Sequence, residues 1–196
     1  MTPSRFLGEL AGTALLLTMG GGVVANVVLN KTKGNNSGWI VITFGWGMAV
    51  FLGVYASTTM GGSGHLNPAV TIAMSVFNED FDKSLLPIYL AAQFAGAFVG
   101  AIVVWICYKQ HFDETADKEL KLAVFSTSPA IRNPFYNFIT EMIGTFILVF
   151  GALNMSPSET SLGALNALPV GLLVLGIGLS LGGPTGYAIN PARDLG

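Results

Sequence analysis

Charge is what this sequence has least of. Nine Lys and Arg and eleven Asp and Glu make up 10% of its 196 residues, against about 25% in soluble domains. A soluble helical core of this size could not solvate its own surface with so few charges. Hydrophobic residues make up 52% of the chain, and the mean hydropathy is +0.61. The chain therefore reads as an integral membrane protein. A net charge of −2 offers no basic surface to nucleic acid. The one cysteine, Cys107, excludes an internal disulfide and a cysteine-based metal cluster. His65 and His111 stand at no ligand-like spacing from carboxylates, so no metal site and no cofactor are expected. The apolar run after Arg5 exceeds a signal-peptide core and has no small-residue cleavage site, so it reads as a first transmembrane helix.

What the sequence does have is the tripeptide Asn-Pro-Ala, twice: Asn67-Pro68-Ala69 and Asn190-Pro191-Ala192. Each follows a glycine-rich approach, Gly61-Gly62-Ser63-Gly64-His65-Leu66 or Gly182-Gly183-Pro184-Thr185-Gly186-Tyr187-Ala188-Ile189. Asn is a preferred helix cap, and Pro at the first helical position gives up only an amide that lacks a partner anyway. With the Asn oxygen spent on capping, its NH2 group is left as an outward donor at the positive end of the helix dipole. The apolar run 67–77 then stops at Asn78-Glu79-Asp80. As a helix it is about 16 Å long, half of a bilayer core of about 30 Å. It reads as a re-entrant half-helix. One such cap is a common turn signal, but two in corresponding places of an apolar chain mark a binding path.

Five full spans are expected, at 6–29, 39–57, 85–108, 135–153 and 165–181, with a long mixed-charge connection at 109–133 and a loop near 154–161. Ala92, Gly96 and Gly100 fall four apart in the third, the small-residue ridge that lets membrane helices pack closely. The pattern repeats. Glu9-Leu10-Ala11-Gly12-Thr13 is echoed by Glu141-Met142-Ile143-Gly144-Thr145, and each half runs Glu-bearing span, second span, Gly-rich loop, Asn-Pro-Ala. We expect one transmembrane domain over 1–196, with repeat 1 at about 1–108 and repeat 2 at about 134–196. An odd number of spans per unit inserts the second unit upside down, which brings the two Asn caps together near the midplane as a pore. Glu9 and Glu141, about one turn inside the boundary, read as ion carriers or as acceptors for loop amides. Their equivalent placement favours the acceptor role. Gln93 reads the same way.

These residues resemble the aquaporin or major intrinsic protein family over the whole chain. The resemblance is carried by Glu-x-x-Gly-Thr in both halves, His65-Leu66-Asn67-Pro68-Ala69-Val70-Thr71, Gln93, and Gly186-Tyr187-Ala188-Ile189-Asn190-Pro191-Ala192-Arg193-Asp194. Asp194 and the stretch around Gly45-Trp46-Gly47 are similar to the glycerol-conducting branch. The resemblance implies an all-α membrane protein, a right-handed inverted-repeat bundle with two re-entrant half-helices. It implies a selectivity filter of Trp46, Gly178, Tyr187 and Arg193, with glycine at 178 leaving room for a carbon backbone. It implies a ladder of backbone carbonyls at Ser63, Gly64, His65, Gly186, Tyr187 and Ala188. Pore width, polar lining, an arginine and half-helix dipoles are the established selectivity devices of aquaporins. Read without the resemblance, Trp46 and Tyr187 would be an aromatic interface belt and Arg193 a snorkelling anchor.

The implied function is passive passage of glycerol, other small neutral solutes and water, without ions, protons or enzyme chemistry. A water-selective channel and a non-conducting membrane scaffold are the competing readings. The family also implies a homotetramer in the cell membrane with a cytoplasmic amino terminus. The positive-inside rule points the other way, since Lys31, Lys33, Lys109, Lys118, Lys121 and Arg132 outnumber Arg5 and Lys83. The family has a full second half-helix and a sixth span after the second Asn-Pro-Ala. The sequence stops at Gly196, so we expect it to be a fragment.

Overall fold

A computed structural model of the chain describes residues 2–155 and 162–196, and these are helices joined by turns. Chains in lipid must satisfy their backbone groups internally, which is why the apolar runs become helices. Among the described residues five helical segments are long and apolar enough to cross a membrane. In chain order the helices are α1 (Thr2–Val28), α2 (Trp39–Thr59), α3 (Pro68–Phe77), α4 (Leu86–Cys107), α5 (Lys109–Glu114), α6 (Lys118–Ala123), α7 (Pro134–Asn154), α8 (Leu168–Leu181) and α9 (Pro191–Leu195). The loop expected near 154–161 falls mostly outside the described residues.

Local chemistry sets the helix starts. Asn67, Asn133 and Asn190 cap α3, α7 and α9 with their side-chain oxygens, each with a proline in the first turn. Asp82 caps a short 3-10 turn, Lys83–Leu85, ahead of α4, and its hydrogen bonds to Ser84 hold its carboxyl below the ordinary carboxylate pKa. The fifth span, Gly163–Leu181, opens as a 3-10 turn. Residues Gly163–Ala167 form that turn, and α8 begins only at Leu168, where Pro169 fits the first turn.

The core is built on α1, which lies between α2 and α4, while α2 packs in turn on α8. Glycine makes these approaches possible. A Cβ on Gly12 would stand 2.7 Å from the Gly53 carbonyl, and one on Gly53 would stand 2.8 Å from that of Gly12. The α2–α8 crossing repeats the device with Gly47 and Gly171. The expected ridge on α4 faces α1: a Cβ on Gly96 would meet Leu10 O at 2.4 Å, and one on Gly100 would meet Ala14 O at 2.6 Å. By contrast α7 touches α8 and α3 over little surface and leaves Phe138, Met142, Phe146 and Phe150 exposed.

The connection 109–133 is more ordered than its mixed charge suggests. It carries α5 and α6, and Phe112 stacks on Phe125 with ring centroids 5.4 Å apart. It is fastened to the turn after α1, where the Asn30 amide donates to Thr115 Oγ1 at 2.9 Å and Asn30 Nδ2 donates to Glu114 O at 3.1 Å. Asp117 caps α6 through the amides of Glu119 and Leu120.

Candidate functional site

The two glycine-rich approaches end in the same backbone geometry. Leu66 and Ile189, each just before a capping Asn, have φ of 52° and 41°. This left-handed region is unfavourable for side-chain-bearing residues, and most of all for β-branched Ile, at a cost of about 1–3 kcal/mol each. The turn aims the amides one way and the carbonyls another. The amides of His65 and Leu66 donate to the Glu9 carboxylate at 3.1 and 2.9 Å. Those of Ala188 and Ile189 donate to Glu141, both at 3.1 Å. The carbonyls point across to the opposite asparagine: Asn67 Nδ2 donates to Ile189 O at 2.8 Å, and Asn190 Nδ2 donates to Leu66 O at 2.9 Å.

The half-helix starts are thus tied to each other through their caps. Asn67 Oδ1 accepts from the Ala69 amide at 2.9 Å, and Asn190 Oδ1 from those of Ala192 and Arg193 at 3.0 and 3.2 Å. The outward donor expected from each NH2 group is therefore half committed. One N–H bridges to the other loop, and a second remains on each nitrogen.

Glu9 is fully buried and takes two more bonds from side chains and one from the Ser63 amide, with Ser57 Oγ at 3.4 Å and Gln93 Nε2 at 2.9 Å. Gln93 Nε2 also reaches Thr71 Oγ1 of α3 at 2.8 Å. A carboxylate carrying five donors is an anchor for loop amides. His65 Nδ1 lies 3.2 Å from Thr71 Oγ1, and its ring packs against Phe81 and Tyr89. Ser63 Oγ accepts from Arg5 Nη1 at 2.6 Å.

Around the second loop the structure brings Trp46, Tyr187 and Arg193 to one cavity of about 40 Å³, together with Asn67 and Asn190. Arg193 is buried, with its guanidinium 4.8 Å from the centre of the Trp46 ring, and Nη1 donates to Phe125 O and to Asp194 Oδ1, each at 3.2 Å. Asp194 Oδ1 also accepts from the Thr127 amide at 2.7 Å. Gly178 stands behind Tyr187 and is no opening of its own. A Cβ there would lie 2.8 Å from Tyr187 Cζ, so the space that glycine vacates is filled by the phenol ring. A larger cavity of about 710 Å³ reaches the same junction and includes Ser63, Gly64 and His65 in its wall. The two cavities share Leu16, Val50, Asn67, Leu148, Val174 and Asn190.

Sequence reasoning missed the groups that hold Arg193 in place. The Phe125 carbonyl and Thr127 amide are backbone atoms with no residue signature, and the only cue was the apolar pair Val124-Phe125 in a charged connection. It also missed Trp39, whose Nε1 donates to Gly178 O at 3.1 Å. Among the described residues no group of three or more His, Cys, Asp or Glu could hold a metal ion.

Spanning helices, two half-helices joined at their capping asparagines, and cavities that reach this junction define a class, the α-helical membrane channels. Within it the chain belongs to the major intrinsic protein family, whose model matches residues 3–196. A probable glycerol uptake facilitator protein of Thermotoga maritima is 54% identical over 193 residues, 98% of this chain and 81% of that protein. The glycerol uptake facilitator protein of Bacillus subtilis is 50% identical over 193 residues, 98% of this chain and 69% of its own length. Among solved structures, the aquaglyceroporin from Plasmodium falciparum superposes with a TM-score of 0.83 at 33% identity, covering 100% of this chain and 79% of that one. The aquaporin-like fold expected from the sequence is the fold observed.

Proposed function

We propose that the chain is a passive pore for glycerol and other small neutral solutes, with water, and that it catalyses no bond-making step. The observation that carries this reading is the reciprocal pair of bonds from Asn67 Nδ2 to Ile189 O and from Asn190 Nδ2 to Leu66 O. It fixes both half-helix starts at a junction that borders both cavities. The remaining amide hydrogens of the two asparagines serve as donors to a passing oxygen. A water accepting from both turns its own hydrogens away along the pore, which interrupts a proton relay. The positive half-helix starts and Arg193 oppose cations.

The narrow point is the filter of Trp46, Tyr187 and Arg193, with Gly178 housing the tyrosine. Aromatic surface faces the CH groups of a polyol and the guanidinium donates to its hydroxyls, the mixed lining that an amphipathic solute requires. Carbonyls of Ser63, Gly64, His65, Gly186, Tyr187 and Ala188 line the approaches as acceptors. Glu9, Glu141, Gln93 and Asp194 act as structural supports. Relatives named for glycerol uptake, about half identical over nearly all of this chain, favour glycerol over water as the defining solute. We further propose one domain made of repeats 1–108 and 134–196, a homotetramer with one pore per subunit, and a cytoplasmic amino terminus.

Stopped-flow light scattering on proteoliposomes tests this directly, with glycerol in one arm and an impermeant sugar in the other. Glycerol entry well above protein-free liposomes, lost when Arg193 is replaced by a bulky blocking residue, is the expected result. Fast water flux without glycerol entry would replace the reading with a water-selective pore.

A further inference from the structure

Three buried side-chain polar atoms among the described residues have no hydrogen-bond partner: Gln93 Oε1, Thr185 Oγ1 and the Tyr187 hydroxyl. Of these residues Tyr187 borders the cavity that it shares with Trp46 and Arg193. Tyr187 is 7% exposed. Its ring is fixed on several sides. Trp39 packs edge-on at 5.8 Å between centroids, and the ring lies over Gly178 and Gly182 of α8. A Cβ on Gly178 would come within 2.9 Å of the hydroxyl, and one on Gly182 within 2.5 Å of Cδ1. On the same helix Gly178 O accepts from Trp39 Nε1, and the hydroxyl has no protein partner there. A buried hydroxyl left unmatched is costly, and phenylalanine would fill the same slot without that cost.

We propose that the Tyr187 hydroxyl is a solute-reading group, which exchanges a hydrogen bond with one oxygen of a passing polyol while Arg193 donates to another. This rests on the filter reading above and narrows its substrate class to solutes with hydroxyls on neighbouring carbons. Such a solute satisfies both protein groups at once. A diol of similar width that lacks the central hydroxyl presents its two oxygens farther apart and matches the two protein groups less well.

The test compares glycerol with propane-1,3-diol in proteoliposomes, each rate corrected for protein-free liposomes. For Tyr187→Phe the glycerol-to-diol ratio is expected to fall about 2- to 10-fold, the loss of one hydrogen bond. An unchanged ratio, or both solutes speeding up together, means that the oxygen only occupies space, and overturns the proposal. Trp46→Ala separates the two levels of the reading. If it shifts the ratio while Tyr187→Phe does not, the hydroxyl proposal alone falls. If neither shifts it, the filter reading falls as well. Thermal unfolding in detergent supplies a second measurement. Removing an unpartnered oxygen is expected to leave the apparent melting temperature unchanged or raised, and a clear drop would reveal a protein partner and overturn the proposal.

Discussion

The loop before Asn67 and the loop before Asn190 reach one backbone geometry by different fastenings. The first is tied from within its own helices. Glu9 of α1 takes the amides of Ser63, His65 and Leu66, α2 adds Ser57, and Gln93 of α4 closes the carboxylate off from solvent. The second has only two amides on Glu141, which is half-buried, and takes the rest of its support from the connection. There the Ala130 amide donates to Pro184 O at 2.9 Å, and the Thr127 amide reaches Asp194. The contrast follows from helix packing. The face of α1 that receives Gly96 and Gly100 is covered by α4, while the equivalent positions on α7, Met142 and Phe146, are 52% and 64% exposed. Within residues 1–196 the first cap is thus held by the helix bundle and the second by the connection, acting as a strap. The strap also holds Arg193, so on the proposed filter reading the second loop couples selectivity to the connection.

The largest expected effect breaks this comparison at its root. Glu9→Leu strips the acceptor from three amides, a hydroxyl and the Gln93 nitrogen, at about 1–3 kcal/mol for each buried donor left unpaired. Loss of the folded protein in detergent size-exclusion is expected, whereas Glu141→Leu orphans two amides and should lower the apparent melting temperature without abolishing folding. Equal losses for both would mean that Glu141 is as enclosed as Glu9. Next in size is Gly96→Val. Its Cβ would overlap the Leu10 carbonyl, and overpacking of this kind costs about 1–3 kcal/mol. Phe146→Ala on the uncovered face of α7 should stay within about 0.5 kcal/mol. Thermal unfolding of the pair measures how much of the bundle depends on the α1–α4 seam.

Much of this was legible in the sequence because it is written in residue types with one strong use. Asn-Pro marks a capped helix start, apolar runs of fixed length mark spans, and a Glu in the same place twice marks a repeated acceptor. Trp46, Tyr187 and Arg193 were nameable through the family resemblance, and the structure brings them to one cavity. What stayed hidden depends on backbone atoms and on shape. The left-handed φ at Leu66 and Ile189 is not a property of Leu or Ile, so the cross-bonding of the asparagines had no signature. Gly178 was read as open space for solute because a sequence shows only that a side chain is missing, not what moves in. The connection 109–133 was read only as a long connection of mixed charge, because its charges outnumber the few apolar residues, Phe112, Val124 and Phe125, that pin it down.

Smaller effects sharpen the contrast between bundle and strap. Asn67→Ala removes one capping bond and one bond across the junction and should cost about 1 kcal/mol of stability. Asn190→Ala removes two capping bonds and the reciprocal bridge and should cost slightly more. Melting temperatures of the two variants, compared at matched expression, test that order. A larger loss for Asn67 would show the first half-helix to be the weaker one.

The last change falls on Asp194, and it speaks most directly to the strap. Its Oδ1 accepts from the Thr127 amide and from Arg193 Nη1, so one oxygen joins the connection to the filter. The Arg193 side chain is buried and that of Asp194 is mostly so, with exposures of 7% and 26%, so removing the carboxylate takes a charged partner from a buried guanidinium. Asp194→Asn keeps an acceptor for Thr127 and removes the charge beside the guanidinium. Asp194→Ala removes both. If the strap positions Arg193 through this oxygen, Asp194→Ala should reduce glycerol flux several-fold and lower the melting temperature, and Asp194→Asn, which keeps the acceptor, should recover most of that flux. The reason is geometric. The remaining bond to Phe125 O fixes one point of a planar guanidinium that also has to stay over Trp46. One point leaves it free to rotate. Flux unchanged in both variants would mean that the Trp46 ring and the Phe125 carbonyl hold Arg193 unaided, and that the connection serves the second loop alone.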